Sequence, residues 1–166
     1  MTSKRQIARL PRDTGMTGWN AILDPAPSHP EAEGDISADW LVIGGGFAGL
    51  SAAKRLLELR GGDRIVLIEA ARIGEGPAGR NSGFMIDLPH ELSGDGYAGS
   101  AETDRLQIGL NRHAQDFARS CSAEYGMAAE AVASIGRING AVNRRGEAHN
   151  ESYADQLATL GEAYTK

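Results

Sequence analysis

The chain has 166 residues, of which 41% are hydrophobic and 23% charged, and its formal net charge is −5. This length and composition are typical of a soluble chain with a single core. No basic stripe offsets the negative charge, which argues against nucleic acid as a partner. The one cysteine, Cys121, excludes an internal disulfide framework and a cysteine-rich metal site.

The sequence shows neither a membrane span nor a secretory signal. Its longest nearly uncharged apolar run, residues 41–53, is too short to cross a bilayer and carries four glycines. Residues 1–10 are basic and polar, and no apolar core follows them. We therefore expect a cytoplasmic protein without a membrane partner.

Residues 1–38 are predicted to form an extended N-terminal arm, because glycines and prolines between positions 15 and 34 interrupt any helix. The segment 24–27 is expected to be polyproline-like. The arm is either a disordered leader or a segment that packs on the core or on a partner subunit. The second alternative is favoured, since an exposed tryptophan beside two aliphatic residues is unusual in a free tail. The expected anchors are Trp19, Ile22 and Leu23.

Residues 39–69 follow the order strand, glycine turn, helix, strand. The apolar run 39–43 leads into the glycine-rich turn 44–49, which opens an amphipathic helix that extends to residue 60. A second apolar run, 65–68, suits a strand that is buried on both faces of a parallel sheet. At about 30 residues, this is one βαβ half of a Rossmann-like unit.

The turn contains the residue types that hold a dinucleotide. Gly44 permits a tight turn, Gly46 lets the backbone approach a pyrophosphate, and Gly49 lets the helix pack closely on the sheet. The free N–H groups at the start of the helix, at Phe47 and Ala48, are expected to hold the diphosphate. The βαβ unit by itself leaves FAD and NAD open as the cofactor.

An acid and an irregular loop follow the second strand. Glu69 is placed to accept hydrogen bonds from the adenosine ribose hydroxyls, and its charge disfavours a 2′-phosphate. An NAD-dehydrogenase fold usually continues into a helix here, whereas the glycine-rich loop 70–84 suits the diphosphate and ribityl chain of a flavin. The candidate cofactor contacts in this part are Glu69, Ala70, Arg80, Asn81, Ser82 and Gly83.

The run 39–69 followed by 76–83 resembles the N-terminal part of the FAD-dependent D-amino-acid oxidase superfamily. The resemblance is to the branch of amine and amino-acid oxidases similar to glycine oxidase and γ-glutamylputrescine oxidase. The leader resembles that branch too, through the dipeptides at 34–35 and 38–39. The resemblance covers the whole chain but only the first part of a family member.

The resemblance also bears on how a flavin would be held. The family commonly has a serine where this chain has Ala78, so the phosphate contact of that hydroxyl is not expected here. Some relatives attach the flavin covalently through a histidine in this loop, and this chain has none between residues 69 and 84. FAD is therefore expected to bind non-covalently.

The resemblance implies an α/β fold: a glutathione-reductase-like, Rossmann-like βαβ FAD-binding unit, incomplete, followed by the start of an α+β substrate domain. The implied activity is oxidation of a C–N bond of a small amine or amino acid by hydride transfer to FAD. In the family the remaining strands come later in the sequence. We therefore expect a fragment, or one subunit of a split enzyme, completed by a second chain or by the remainder of the same protein.

Two other functions stay open, and no catalytic residue is assigned. The chain could be an NAD-binding dehydrogenase domain, which the irregular loop argues against, or a non-catalytic βαβ assembly subunit. A half-built sheet with uncovered apolar surface is expected to associate, so an oligomer is predicted rather than a stable monomer.

Residues 85–100 are predicted to be a loop. His90 is its titratable candidate, and a solvated or capping role is favoured over a catalytic one. Asp87, His90 and Glu91 are close in sequence but lack regular metal-ligand spacing, so no metal site is predicted.

Residues 102–125 are predicted to form a long helix whose apolar stripe belongs to the core. The stripe consists of Leu106, Leu110, Ala114, Phe117, Cys121 and Tyr125. Residues 135–142 are predicted to be a strand, and 143–146 a turn.

A last helix is predicted over residues 147–164, with one face made of Tyr153, Leu157, Leu160 and Tyr164. These elements divide the chain into an arm (1–38), an FAD-binding unit with its glycine-rich loop (39–100), and a helical segment with the start of the substrate domain (101–166).

Overall fold

A computed structural model describes residues 9, 15–24, 28–89 and 100–165, together with the backbone of 92–93 and 96–97. The chain separates into two compact units, residues 1–83 and 84–166. These are called the N-terminal unit and the C-terminal unit. The division at residues 38 and 100 that the sequence favours stays a prediction.

The N-terminal unit is built on a parallel pair of strands joined by a helix. A short helix, α1 (Gly18–Ile22), precedes β1 (Trp40–Ile43), α2 (Phe47–Leu59) and β2 (Ile65–Ile68). The two strands pair in parallel, with Trp40 opposite Ile65 at one end and Ile43 opposite Ile68 at the other. The predicted order of strand, helix and strand is confirmed, in a sheet of two strands.

The two strands are less buried than the sequence indicates. All four residues of β2 are half-buried, and three of the four in β1 are exposed. A parallel strand is buried on both faces only when helices cover both sides of the sheet. Within the described part of this unit, α2 is the only long helix, so the expectation of two buried faces for residues 65–68 is wrong here.

The arm contains a helix that its glycines and prolines did not lead us to expect. Thr17 begins it, because its hydroxyl oxygen accepts a hydrogen bond from the Asn20 N–H at 3.0 Å. Trp19 is an anchor, since its indole N–H donates to a loop carbonyl, whereas Ile22 and Leu23 are exposed and do not anchor the arm. Residues 25–27 lie outside the described residues, so the polyproline prediction there is not tested.

The C-terminal unit consists of a short hairpin and two long helices. β3 (Leu92–Ser93) pairs antiparallel with β4 (Gly96–Tyr97), so the predicted loop contains two short strands. α3 (Ala101–Glu124) and α4 (Arg144–Leu160) follow, with the 3₁₀ turn Ala129–Val132 between them. Among the described helices, none is both long enough and apolar enough to cross a bilayer.

α4 begins earlier and ends earlier than predicted. Asn143 caps it, because its side-chain oxygen accepts from the Gly146 N–H at 2.9 Å, so the predicted turn at 143–146 is the first turn of the helix. The helix ends at Gly161, which adopts a left-handed conformation with φ of +81°. Tyr153 and Leu157 of the predicted face are buried, whereas Tyr164 lies beyond the helix and is exposed.

α3 buries a different face from the one predicted. Leu106, Leu110 and Phe117 are exposed, while Asp104 and Ile108 are buried. The stripe prediction is therefore wrong for most of its members, and Cys121 is only half-buried.

Polar partners explain which face of α3 turns inward. The carboxylate of Asp104 accepts from the Gln156 side-chain amide at 3.1 Å. The side-chain amides of Asn111 and Gln115 donate to the carbonyls of Asp87 and Met85 at 3.0 and 2.7 Å. These bonds hold one face of α3 against residues 85–87 and against α4.

The predicted strand at 135–142 is absent: the described backbone of these residues is irregular. Ile138 and Val142 are 95% and 99% exposed. A strand is stabilised by pairing with a neighbour and by packing on one face, and neither is present along this stretch in the described residues.

The burial of α3 predicts a contrast between two neighbouring positions. Ile108→Ala should lower the free energy of unfolding by about 2 kcal/mol, because Ile108 is 5% exposed and packs in the core. Leu110→Ala should change it by less than about 0.5 kcal/mol, because Leu110 is 57% exposed. Urea unfolding, monitored by the circular-dichroism signal of the helices, measures both changes. A larger loss from Leu110→Ala would mean that the sequence-predicted stripe is the buried face.

Candidate functional site

The glycine turn links the end of β1 to the start of α2. Gly44 has φ of +102°, a conformation that favours glycine, and its N–H donates to the Ile68 carbonyl at 2.8 Å. Gly46 is the N-cap of α2 and offers no side chain to the first helical N–H groups. Among the described residues, a Cβ added at Gly46 would meet only the Cβ of Ala78, at 3.8 Å. The start of α2 is therefore open to a ligand.

Gly49 is the point of closest approach within the turn. A Cβ at this position would lie 1.8 Å from the Gly44 carbonyl oxygen and 3.4 Å from Cγ1 of Val42. No side chain fits this space, so only glycine allows the first turn of α2 to rest on the end of β1.

Glu69 follows β2 and turns back to the glycine turn. Its Oε2 accepts from the Gly45 N–H at 2.6 Å, and its Oε1 accepts from the Ala71 N–H at 3.2 Å. The bond from Gly45 is the main reason that the pKa of Glu69 lies below its ordinary value, and the bond from Ala71 adds to it. Glu69 is therefore ionised at neutral pH. An ionised carboxylate has about four acceptor positions, so others remain for a ligand hydroxyl.

The glycine-rich loop returns to the glycine turn and repeats its geometry. The Gly74 N–H donates to the Gly45 carbonyl at 3.1 Å, which joins the two segments. Gly74 has φ of +74°, and a Cβ at Gly79 would lie 1.9 Å from the Gly74 carbonyl oxygen, much as at Gly44 and Gly49. The 3₁₀ turn Pro77–Gly79 takes the place that α2 occupies in the first turn. The equal five-residue spacing of the glycine pairs is a signal in the sequence that could have predicted this repeat.

Arg80 and Asn81 bind the protein itself. The Arg80 guanidinium donates to the carbonyls of Gly15 and Glu75, the latter at 3.1 Å, and lies 3.6 Å from the Glu75 carboxylate. The Asn81 side chain donates to the Ala78 carbonyl at 2.6 Å and accepts from the Gly83 N–H at 2.7 Å. Their contact with a flavin, and that of Ser82, stays a prediction.

The structure thus brings one group of the candidate residues together at the start of α2. This group consists of Gly44, Gly46, Phe47, Ala48, Gly49, Glu69 and Ala70. The second group, Arg80 to Gly83, lies against residues 15–20 of the arm. Sequence reasoning missed three residues that tie these parts together: Thr17, Asn20 and Glu75. The only local signal was a threonine in a capping position three residues before Asn20.

Of the acids and the histidine considered for a metal site, the structure describes only Asp87. Asp87 pairs with Arg112 at 2.9 Å, and His90 and Glu91 lie outside the described residues. Across the ranges that the structure describes, no three His, Cys, Asp or Glu side chains form a group that could hold a metal ion.

A parallel βαβ unit with a glycine turn and an acid after its second strand is typical of dinucleotide-binding proteins. The protein-family model described as FAD dependent oxidoreductase matches residues 39–164. The chain belongs to this family. FAD is the family's cofactor, which decides the choice between FAD and NAD that the βαβ unit left open, and a Rossmann-like FAD-binding fold accounts for the two-stranded parallel sheet.

Three curated proteins show what the chain is similar to. A probable oxidoreductase OrdL of Rhizobium meliloti is 40% identical over 73 residues, which is 44% of this chain and 17% of that protein. The γ-glutamylputrescine oxidoreductase of Escherichia coli is 46% identical over 52 residues, or 31% of this chain and 12% of that protein. A putative Rieske 2Fe-2S iron-sulfur protein YhfW of Bacillus subtilis is 27% identical over 152 residues, or 90% of this chain and 28% of that protein.

The chain therefore spans between 12% and 28% of the length of these relatives. No solved structure matches it significantly.

The contact at Gly49 predicts opposite effects for two glycine-to-alanine substitutions. Gly49→Ala should lower the free energy of unfolding by about 2 kcal/mol, because its Cβ strikes the Gly44 carbonyl oxygen. Gly109→Ala, within α3 and with nothing within 4 Å of its Cβ, should raise it by about 1 kcal/mol through helix propensity. Thermal and urea unfolding measure both effects. Equal effects of the two substitutions would contradict the close packing of α2 on the turn.

The lowered pKa of Glu69 predicts a dependence of stability on pH. The folded-state pKa lies below the ordinary value of 4.5, so the carboxylate stabilises the fold above that pH. This contribution should disappear as the pH falls from about 5 through the folded-state pKa. The difference in free energy of unfolding between the wild-type chain and Glu69→Gln should shrink over that interval. A difference that does not vary with pH would show that the charge of Glu69 adds nothing to stability.

Proposed function

We propose that this chain supplies the FAD-binding βαβ unit of an oxidoreductase that oxidises a C–N bond of an amine or amino acid. The cofactor is held non-covalently, and it supplies the acceptor for a hydride from the carbon next to the nitrogen. The protein's own contribution is to bind the cofactor, orient it and keep its diphosphate in place.

The observation that carries this proposal is the open start of α2. Gly46 leaves room in front of the first N–H groups of the helix, and the positive end of the helix dipole points there. The backbone N–H groups of Phe47, Ala48 and Gly49 would donate to the diphosphate. No lysine or arginine is needed for this, because the helix terminus itself binds anions.

Glu69 defines the adenosine side of the site. Its carboxylate is exposed, ionised and linked to the backbone of the glycine turn through Gly45. A ribose hydroxyl would donate to an acceptor position of the carboxylate that the backbone N–H groups do not occupy. A 2′-phosphate would be repelled, which fits a cofactor whose adenosine carries free hydroxyls.

The glycine-rich loop defines the flavin side. Its backbone is held against the glycine turn by the bond between Gly74 and Gly45. This bond fixes the start of the loop segment that leads to residues 80–83. Ser82 and the backbone at Gly83 would contact the chain between the diphosphate and the flavin ring. Asn81 would contribute by holding this backbone rather than by a free side chain.

The substrate class rests on the relatives. One of the similar proteins is named for the oxidation or reduction of γ-glutamylputrescine, which is an amine. The matched segment is short, so we propose only the class: a small amine or amino acid. The substrate-binding and catalytic residues would come from the remainder of the same protein or from a second chain. A cytoplasmic location and association into an oligomer also stay predictions.

The open space at Gly46 predicts that stability and FAD binding can be separated. Gly46→Ala should change the free energy of unfolding by less than about 1 kcal/mol, because its Cβ meets nothing closer than 3.8 Å. It should weaken FAD binding roughly tenfold or more, because the methyl group occupies the space of the phosphate. The protein to use is the longest native polypeptide that carries these residues. Its binding of FAD is measured by titration, from the quenching of flavin fluorescence.

The matched control is Gly62→Ala, in the turn after α2, where nothing lies within 4 Å of the added Cβ. This variant should bind FAD as the wild type does. The native protein should also show flavin absorption bands and release the flavin on denaturation, as a non-covalent cofactor does. A colourless native protein that binds neither FAD nor NAD would support a non-catalytic assembly subunit and refute the proposal.

A further inference from the structure

The arm and the glycine-rich loop are joined by a set of hydrogen bonds that centre on Glu75. Its Oε1 accepts from the Thr17 N–H at 2.8 Å, and its Oε2 accepts from the Asn20 side-chain amide at 2.7 Å. The Glu75 side chain is 11% exposed, and Thr17 is 2% exposed. Both carboxylate oxygens are thus used, more than 50 residues along the chain from their donors.

Further contacts join the same two segments around Glu75. The Arg80 guanidinium donates to the Gly15 carbonyl and lies 3.6 Å from the Glu75 carboxylate. The Trp19 indole N–H donates to the Asn81 carbonyl at 2.8 Å. Its ring covers Gly83, where an added Cβ would lie 3.3 Å from the ring. We call the contacts of residues 15–20 with residues 75–83 the clasp.

The clasp restrains a loop whose backbone has many accessible conformations. Gly74 and Gly83 have φ of +74° and +79°, and Gly76 and Gly79 add further backbone freedom between them. On one side the loop is bound to the glycine turn through Gly74. Its other end, at residues 80–83, is held by bonds to the arm. Removing the arm would therefore release the part of the loop that would face the flavin.

We propose that the clasp holds residues 75–83 in the conformation that binds FAD, with Glu75 as its positioning residue. This inference rests on the proposed function, because it concerns the same cofactor site. Glu75 does not touch the cofactor in this view. It acts by fixing the backbone of the loop. Its negative charge also balances the positive charge of Arg80, whose guanidinium binds the Gly15 carbonyl.

The test compares Glu75→Gln with Glu58→Gln. Both substitutions remove one negative charge, but Glu58 lies on α2 and pairs with Lys54 and Arg55 of the same helix, at 3.3 and 2.7 Å. Hydrogen–deuterium exchange without cofactor reports on residues 74–83, and titration with FAD gives the dissociation constant. The protein used is the longest native polypeptide that carries these residues.

Glu75→Gln is expected to speed exchange in residues 74–83 and to weaken FAD binding about tenfold, since a hydrogen-bonded, nearly buried carboxylate is replaced by an amide. Glu58→Gln should change neither quantity. Trp19→Phe is a milder variant that keeps an aromatic ring at this position and loses the bond to Asn81 and the part of the indole nearest Gly83. It should give a smaller change of the same kind if Glu75→Gln proves too unstable to study.

A double-mutant cycle separates the clasp from a general loss of stability. Asn20→Ala removes the side chain that donates to Oε2 of Glu75, so the double variant Asn20→Ala/Glu75→Gln should bind FAD more tightly than the product of the single effects predicts. Additive losses would overturn the proposal, because they would show that the bond between the two side chains does not reach the cofactor site.

Two results can be told apart. A wild-type protein that binds no FAD would refute the proposed function, and the flavin role of the clasp with it. A wild-type protein that binds FAD, with an unchanged dissociation constant in Glu75→Gln, would leave the proposed function intact and refute the clasp alone.

Discussion

The close approach of α2 to the end of β1 is the constraint on which the N-terminal unit depends. Gly49 lies so near the Gly44 carbonyl that no side chain fits between them, and this contact directs the start of the helix over the turn. The free N–H groups then face the side on which Gly46 leaves room. The backbone N–H of Gly45, in the same turn, donates to the Glu69 carboxylate, so the residue after β2 is joined to the turn after β1.

The glycine-rich loop contains a second turn, residues 74–79, which is attached to the glycine turn that follows β1. The pair Gly74 and Gly79 repeats the close approach of Gly44 and Gly49, and a backbone bond joins the two turns. A loop rich in glycine loses much conformational freedom when it is ordered. The bonds from the arm to Glu75, Arg80 and Asn81 offset part of that cost from outside the site.

In the C-terminal unit, hydrogen bonds account for which face of α3 turns inward. α3 turns Asp104, Asn111 and Gln115 inward, because these side chains pair with Gln156 and with the carbonyls of residues 85–87. The apolar stripe on its other side, with Leu106, Leu110 and Phe117, is left exposed. An exposed stripe of this kind is typical of a surface that another chain segment or subunit covers.

The sequence by itself determined the βαβ unit and the position of its glycine turn. The apolar runs and the glycine spacing act within a few residues of each other, so their consequences follow from the local sequence. It also determined that α3 and α4 are helices, because their periodicity extends over several turns. The resemblance of residues 39–69 and 76–83 to a known family pointed to FAD, and the family match confirmed it.

Only the tertiary structure decided which face of α3 is buried, where residues 135–142 go, and what binds Arg80. Each of these depends on partners far away in the sequence: the carbonyls of residues 85–87, the absence of a neighbouring strand among the described residues, and the Gly15 carbonyl. The link between Thr17 and Glu75 spans 58 residues and leaves no local pattern. Contacts of this kind depend on the fold as a whole, because residues far apart in the sequence can bind each other only when the folded backbone brings them close together.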